Sequence, residues 1–127
     1  MPIIGHGVDL VEVERLRRML ADHSERFLEK CFTPAEQAYA GGSARREEHL
    51  AARFAAKEAV LKALGTGWTR GIAWTDVEVV HDAGGRPGVR LSGQAAAVAR
   101  EAGAARWFLS LSHTETYAIA SVIAADA

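Results

Sequence analysis

The sequence predicts an α+β fold: a small, mostly antiparallel sheet packed with a long central helix and shorter helices. Three observations predict it. Residues 44–64 form an alanine- and leucine-rich run with no internal glycine or proline, closed by Gly65. Four apolar segments of strand length, residues 3–10, 74–81, 107–112 and 117–124, are spread along the chain. The resulting order, β-α-α-α-α-β-β-α-β-β, lacks the strict strand–helix alternation of a parallel sheet.

Each element has its own signal. Residues 3–10 read as a strand in which Gly5 and Gly7 mark a bulge or a close backbone approach. Residues 11–21 read as a helix with Val13, Leu16 and Leu20 inward and Arg15, Arg17 and Arg18 outward. A short turn separates it from a second helical piece, residues 25–31. Thr33-Pro34-Ala35-Glu36 is a capping box with proline at the first helical position, so a short helix runs to about residue 39. Gly41-Gly42-Ser43 breaks it before the long helix. Residues 65–71 form a loop and residues 74–81 a strand. Residues 82–88 are a hairpin turn leading into a short strand through residue 91. Ser92 caps a helix that ends at Gly103. The last two strands flank a tight polar turn.

Size and composition bound the function. The 127 residues are expected to form one domain spanning residues 1–127. Hydrophobic residues are 49% and charged residues 24%, as in an ordinary globular protein. Fifteen Lys and Arg against sixteen Asp and Glu leave a formal charge of −1, so whole-chain basicity does not argue for nucleic acid. Cys31 is the only cysteine, which excludes an intrachain disulfide and a cysteine-based zinc site and fits a reducing cytoplasm. The N-terminus lacks a signal-peptide pattern. No apolar run approaches the roughly 20 residues that span a bilayer.

The chemistry concentrates on the long helix. Leu50, Phe54, Leu61 and Leu64 share a face, yet Lys57 falls within that stripe, Glu58 beside it and Lys62 just beyond. A helix built only for packing would put these charges on the opposite side. They either mark a sheltered site for metal and phosphate, or reduce to a Glu58–Lys62 pair with Lys57 reaching to water. Asp9 ends the first strand, where it can cap the following helix or bind a hard cation. Paired with Glu58, it completes the two-carboxylate set that magnesium takes along with water and phosphate oxygens.

Arg53, Lys57 and Lys62 would then bind phosphate, although a helical arginine such as Arg53 also suits a surface ion pair. Gly65-Thr66-Gly67 can admit a phosphate to the backbone or serve only as a helix exit. It follows a helix and lacks Walker spacing, so it is not a P-loop. Ser110 and Ser112 share a strand face opposite Leu109 and Leu111. His113 and Thr114 lie in the turn, able to donate to an anion or to serve the turn itself. His6, His23, His49 and His81 show no metal-ligand spacing and read as ordinary polar residues. On the first helical pieces Arg15, Arg17, Arg18, Arg26 and Lys30 alternate with Met19 and Phe27. That patch suits an acidic protein partner. It also reads as a solvated face, because Glu12, Glu14, Asp22 and Glu25 interleave.

Four segments together carry a family resemblance. They are Gly5-His6-Gly7-Val8-Asp9-Leu10-Val11-Glu12-Val13-Glu14-Arg15, Arg53-Phe54-Ala55-Ala56-Lys57-Glu58-Ala59, Lys62-Ala63-Leu64-Gly65-Thr66-Gly67 and Ser110-Leu111-Ser112-His113-Thr114. In this order they resemble holo-acyl-carrier-protein synthase, the small bacterial type of 4′-phosphopantetheinyl transferase, over nearly the whole chain. The resemblance implies transfer of 4′-phosphopantetheine from coenzyme A to a serine of apo-acyl carrier protein, with adenosine 3′,5′-bisphosphate as the other product. It implies Mg2+ held by Asp9 and Glu58, with these two and Lys62 as catalytic residues. It places coenzyme A against Arg53, Lys57, Lys62, Gly65, His113 and Thr114. It assigns carrier docking to Arg15, Met19, Arg26, Phe27 and Lys30. It further implies a homotrimer with sites between subunits, in the cytoplasm, with a carrier protein of fatty acid biosynthesis or of polyketide synthesis as the acceptor. Two features depart from it: Asp22-His23-Ser24 stands where relatives often carry basic residues, and Trp68 and Trp74 have no assigned role. The rivals are another magnesium-dependent hydrolase of a nucleotide diphosphate and a non-catalytic interaction domain.

Overall fold

The computed structural model describes residues 2–127, except for the side chain of Ser24. The chain runs β1 (Ile3–Glu12), α1 (Val13–Cys31), α2 (Pro34–Gly41), α3 (Arg46–Leu64), a 3-10 turn (Trp74–Asp76), β2 (Val77–His81), β3 (Pro87–Leu91), α4 (Gly93–Ala102), β4 (Arg106–His113) and β5 (Tyr117–Ala125). Strands β1, β5 and β4 form one antiparallel sheet in that order, and β2 pairs with β3 in a separate hairpin. The architecture is the expected mixture of helices and antiparallel sheet.

Helix α3 lies across one face of the three-stranded sheet, and glycine makes that possible. A Cβ on Gly5 would stand 2.0 Å from the Ala63 carbonyl oxygen, and one on Gly7 would stand 1.9 Å from that of Ala59. The strand therefore rests directly on the helix backbone. Strand alternation puts Asp9 and the buried Val11 on the same side as these glycines. The opposite face, with Val8, Leu10, Phe108 and Ile119, stays exposed.

Helix α3 is buried nearly all round from Leu50 to Leu61, with Glu58 the exception, rather than along one stripe. Small alanines let the sheet approach one side while α1, α2 and β2 cover others. Three expectations are corrected. The two N-terminal helical pieces are one 19-residue helix, α1. Nothing between residues 22 and 25 is glycine or proline, and Phe27 and Cys31 extend the buried stripe begun by Val13 and Leu16. The start of the segment at 74–81 is a 3-10 turn, because Lys57 Nζ donates to the carbonyls of both Trp74 and Val77. Ser92 stands at the N-cap of α4 as expected, but its side chain makes no capping bond; Asp76 reaches α4 instead and accepts from Ala95 N at 3.3 Å. The capping box at Thr33 and Glu36 forms as expected.

Candidate active site

The end of β1 and the last turns of α3 meet in one cluster. Lys62 Nζ donates to Asp9 Oδ1 at 3.0 Å and to the Val8 carbonyl at 2.9 Å. Glu58 lies one turn earlier on α3. Burial pushes its carboxyl above the ordinary value and the Asp9 charge adds to this, while the Trp68 indole, Arg15 and Lys62 pull the other way. A carboxylate made costlier to ionise by a second one nearby fits a divalent cation, which would offset that charge. Among the described residues no cluster of three or more His, Cys, Asp or Glu side chains could hold a metal. A pair is nevertheless what magnesium uses when water and phosphate complete its shell.

Glu58 also lines a groove of about 400 Å³ between α1 and α3. Met19, Phe27, Phe54 and Trp74 supply its apolar walls, and Arg15, Arg26 and Lys30 its positive rim. The single long α1 carries all the α1 members, so its continuity sets their spacing. Thus one candidate metal ligand, Glu58, shares a cleft with the candidate docking residues. Beyond it runs an aromatic ladder: Phe54 stacks on Trp74 at 4.8 Å between centroids, and Trp74 on Trp68 at 3.8 Å. Gly65 closes α3 in the left-handed region (φ 75°), turning the loop back toward the helix.

Arg53 and His113 are elsewhere. They line a second cavity of about 200 Å³ with Tyr39, His49, His81 and Leu111. Arg53 stands 4.2 Å over the Tyr39 ring and donates to the His49 carbonyl at 3.0 Å, and its Nε is buried without a partner. His113 Nδ1 lies 2.8 Å from Glu48 Oε1. Five residues along a helix turn it by roughly 140°, so Arg53 and Glu58 face different ways. From Glu48 to Lys62 is roughly 21 Å along α3.

Two sequence expectations meet a different environment. Lys57 is fully buried, its Nζ bound to Glu36 at 2.8 Å and to the Trp74 and Val77 carbonyls, so it does not reach the cleft. Burial lowers the proton affinity of its ammonium and Glu36 opposes that. The Thr114 hydroxyl accepts from Thr116 N at 3.2 Å and Tyr117 N at 3.1 Å, which serves the turn. Sequence reasoning missed Tyr39, His49 and His81. The spacing of His49 and Arg53, four residues apart on one helix, was the available signal.

The second cavity gives a pH prediction. Burial, then Arg53, lowers His81 below 6.5, and burial, then Arg53 and His113, does the same to His49. The unfolded chain therefore takes up protons that the folded chain refuses. Stability should be constant above about pH 6.5 and fall as pH drops below it. Thermal unfolding across that window should show a shallower fall for His81→Gln; equal slopes would refute the assignment.

A family model described as the 4′-phosphopantetheinyl transferase superfamily matches residues 5–122. The chain belongs to this superfamily. It is 49% identical over 124 residues to the holo-[acyl-carrier-protein] synthase of Koribacter versatilis, covering 98% of this chain and 99% of that protein. It is 46% identical over 121 residues to that of Geobacter sulfurreducens, covering 95% and 96%. Among solved structures, the Neisseria meningitidis holo-[acyl-carrier-protein] synthase superposes with a TM-score of 0.90 at 32% identity, covering 98% and 100%. The Bacillus anthracis enzyme, solved in complex with CoA (3′,5′-ADP), gives 0.80 at 34%, covering 98% of each chain. The matched residues include both of the separated clusters, Asp9 with Glu58 and Arg53 with His113. No helix among the described residues is long and apolar enough to cross a membrane.

Proposed function

We propose that this transferase moves 4′-phosphopantetheine from coenzyme A to a serine hydroxyl of an apo-acyl carrier protein, releasing adenosine 3′,5′-bisphosphate. The observation that carries this reading is the position of Glu58: one helical turn from the Lys62–Asp9 pair, it opens into a groove with apolar walls and a cationic rim. A small-molecule hydrolase would have no use for that docking surface.

The roles follow from charge. Asp9 and Glu58 would hold Mg2+, which would supply positive charge against the pyrophosphate of coenzyme A. Lys62, beside Asp9, offsets charge on the departing bisphosphate. The serine oxygen forms a bond to the phosphorus that carries pantetheine as the bond to the bridging oxygen breaks. We assign the serine proton to Glu58. Gly65 opens the backbone beside the phosphates. Arg15, Arg26 and Lys30 steer an acidic carrier to the cleft, and Met19 and Phe27 receive an apolar side chain from it. Transfer should therefore slow as salt rises, through a higher KM for the carrier. Salt-independent KM values would count against this docking surface.

Arg53 and His113 are assigned to the nucleotide end of coenzyme A. They stand away from Asp9 and Glu58 on the same chain, so each site is completed by a neighbouring copy. The uncovered apolar sheet face of Val8, Leu10, Phe108 and Ile119 supports self-association, which we assign as a homotrimer. The cytoplasm and fatty acid biosynthesis are the proposed setting.

Intact-protein mass spectrometry tests the reaction. A carrier incubated with this protein, coenzyme A and Mg2+ should gain one phosphopantetheine. Breakdown of coenzyme A without any carrier, and no mass gain with one, would replace transfer by hydrolysis.

A further inference from the structure

Arg53 of α3 is buried, 2% exposed, yet among the described residues no carboxylate pairs with it. A buried cation is costly unless other groups or a bound anion compensate it. What holds the guanidinium here is neutral. Nη1 donates to the His49 carbonyl at 3.0 Å, and Nη2 lies 3.4 Å from His81 Nε2. Its central carbon stands 4.2 Å over the Tyr39 ring. Tyr39 stacks in turn on His81, with ring centroids 4.4 Å apart and planes 7° from parallel. Helices α2 and α3 and strand β2 thus each supply one member of a group that lines the cavity shared with His113.

The contact between Arg53 and His81 can have only one polarity. A guanidinium carries N–H donors and no acceptor, so His81 Nε2 is the acceptor and the ring proton sits on Nδ1. Burial, then the Arg53 charge, holds His81 below the usual imidazole range against the pull of Asp82, which keeps the ring in this neutral form. The stack on Tyr39 fixes the plane of the ring and with it the direction of the Nε2 lone pair. His81 ends β2 at the edge of the hairpin turn and is only half-buried. Packing there would be served by any flat ring. A nitrogen acceptor in that plane does more: it takes up one arm of Arg53, while Arg53 Nε stays without a partner.

We propose that His81 is a positioning residue: its Nε2, on a ring held flat by Tyr39, accepts from one arm of Arg53 and fixes the guanidinium for the nucleotide end of coenzyme A. This rests on the assignment of Arg53 to that end made above. It gives Tyr39 and His81, which take no part in the chemistry at Asp9 and Glu58, a task in holding the substrate.

The test separates the contact from its use. Imidazole nitrogen shifts of 15N-labelled protein, without ligand at about pH 8, should show His81 with Nε2 unprotonated and Nδ1 protonated. The opposite tautomer overturns the contact. Calorimetric titration of coenzyme A, with Mg2+ and no carrier, should give affinity about ten-fold weaker for His81→Phe, which keeps a ring on Tyr39 and deletes the acceptor. His81→Gln, which restores an acceptor, should recover most of that loss. In carrier modification, His81→Phe should raise the KM for coenzyme A by a similar factor, with kcat within about two-fold of wild type. Unchanged affinity in a folded His81→Phe, or no recovery in His81→Gln, overturns the positioning role. Arg53→Lys separates that failure from one in the reading beneath it. If Arg53→Lys binds coenzyme A as wild type does, the assignment of Arg53 falls and the positioning role with it. If Arg53→Lys weakens binding and His81→Phe does not, the positioning role alone falls. Should His81→Phe not fold, wild type decides instead: the His81 Nε2 resonance moves on saturation with coenzyme A if the role holds, and stays if it does not.

Discussion

Gly7→Ala should abolish or severely weaken folding. The new Cβ would fall 1.9 Å from the Ala59 carbonyl oxygen, and the nearest neighbours are all helix backbone, which cannot rotate away. Relief requires β1 to lift off α3. That separates the strand from its main support and carries Asp9 away from Lys62 and Glu58. Overpacking in cores ordinarily costs about 1–3 kcal/mol where side chains can move aside. With backbone on both sides the cost should exceed that range, enough to lower the Tm by 10 °C or more at about 2–8 °C per kcal/mol. Gly41→Ala is the control, since a Cβ there meets nothing within 4 Å. Thermal unfolding of the two variants decides the point. Equal melting temperatures would mean that the strand does not rest on the helix as described.

Lys57→Met should be nearly as damaging. Lys57 and Glu36 are both buried, 0% and 1% exposed, and each satisfies the other across α3 and α2. Glu36 also accepts from Thr33 N and Val79 N, each at 2.9 Å, so one carboxylate joins α2, α3 and β2. Removing the cation leaves a buried charge without its counter-ion, a loss of about 3–5 kcal/mol. Against a total stability of about 5–15 kcal/mol that is a large fraction. The double variant Glu36→Gln/Lys57→Met should recover part of the loss, because no unpaired charge remains. Denaturant unfolding of the two single variants and the double gives the coupling. Additive losses would show that the pair is not a unit.

The same pair shows where the sequence was legible and where it was not. Local signals held: the capping box at Thr33, the left-handed Gly65 and the close approach at Gly5 and Gly7 all follow from residue chemistry within a few positions. The membership of the cleft was partly legible, since a charge within an apolar helix face needs a reason. Yet that logic could not distinguish Glu58 from its neighbour Lys57. Lys57 finds its counter-ion 21 residues away, on a glutamate already accounted for by the capping box. The second cavity was hidden for a similar reason. His81 reaches Arg53 from a hairpin 28 residues on, and Tyr39 stacks on His81 from another helix. Periodicity reports which face is buried; it does not report what a long-range partner brings to it. The break expected in α1 failed differently, because a polar run without glycine or proline gives a helix no reason to stop.

The central claim is that Asp9 and Glu58 serve one cation and one reaction. A double-mutant cycle on carrier modification, read by intact-protein mass spectrometry, tests it most directly. Asp9→Asn and Glu58→Gln should each slow transfer by about 10²-fold or more, with melting temperatures retained. The double variant should be little slower than either single one, because a site already broken cannot be broken again. Losses that multiply in the double variant, or wild-type rates in Glu58→Gln, would mean that the two carboxylates act apart.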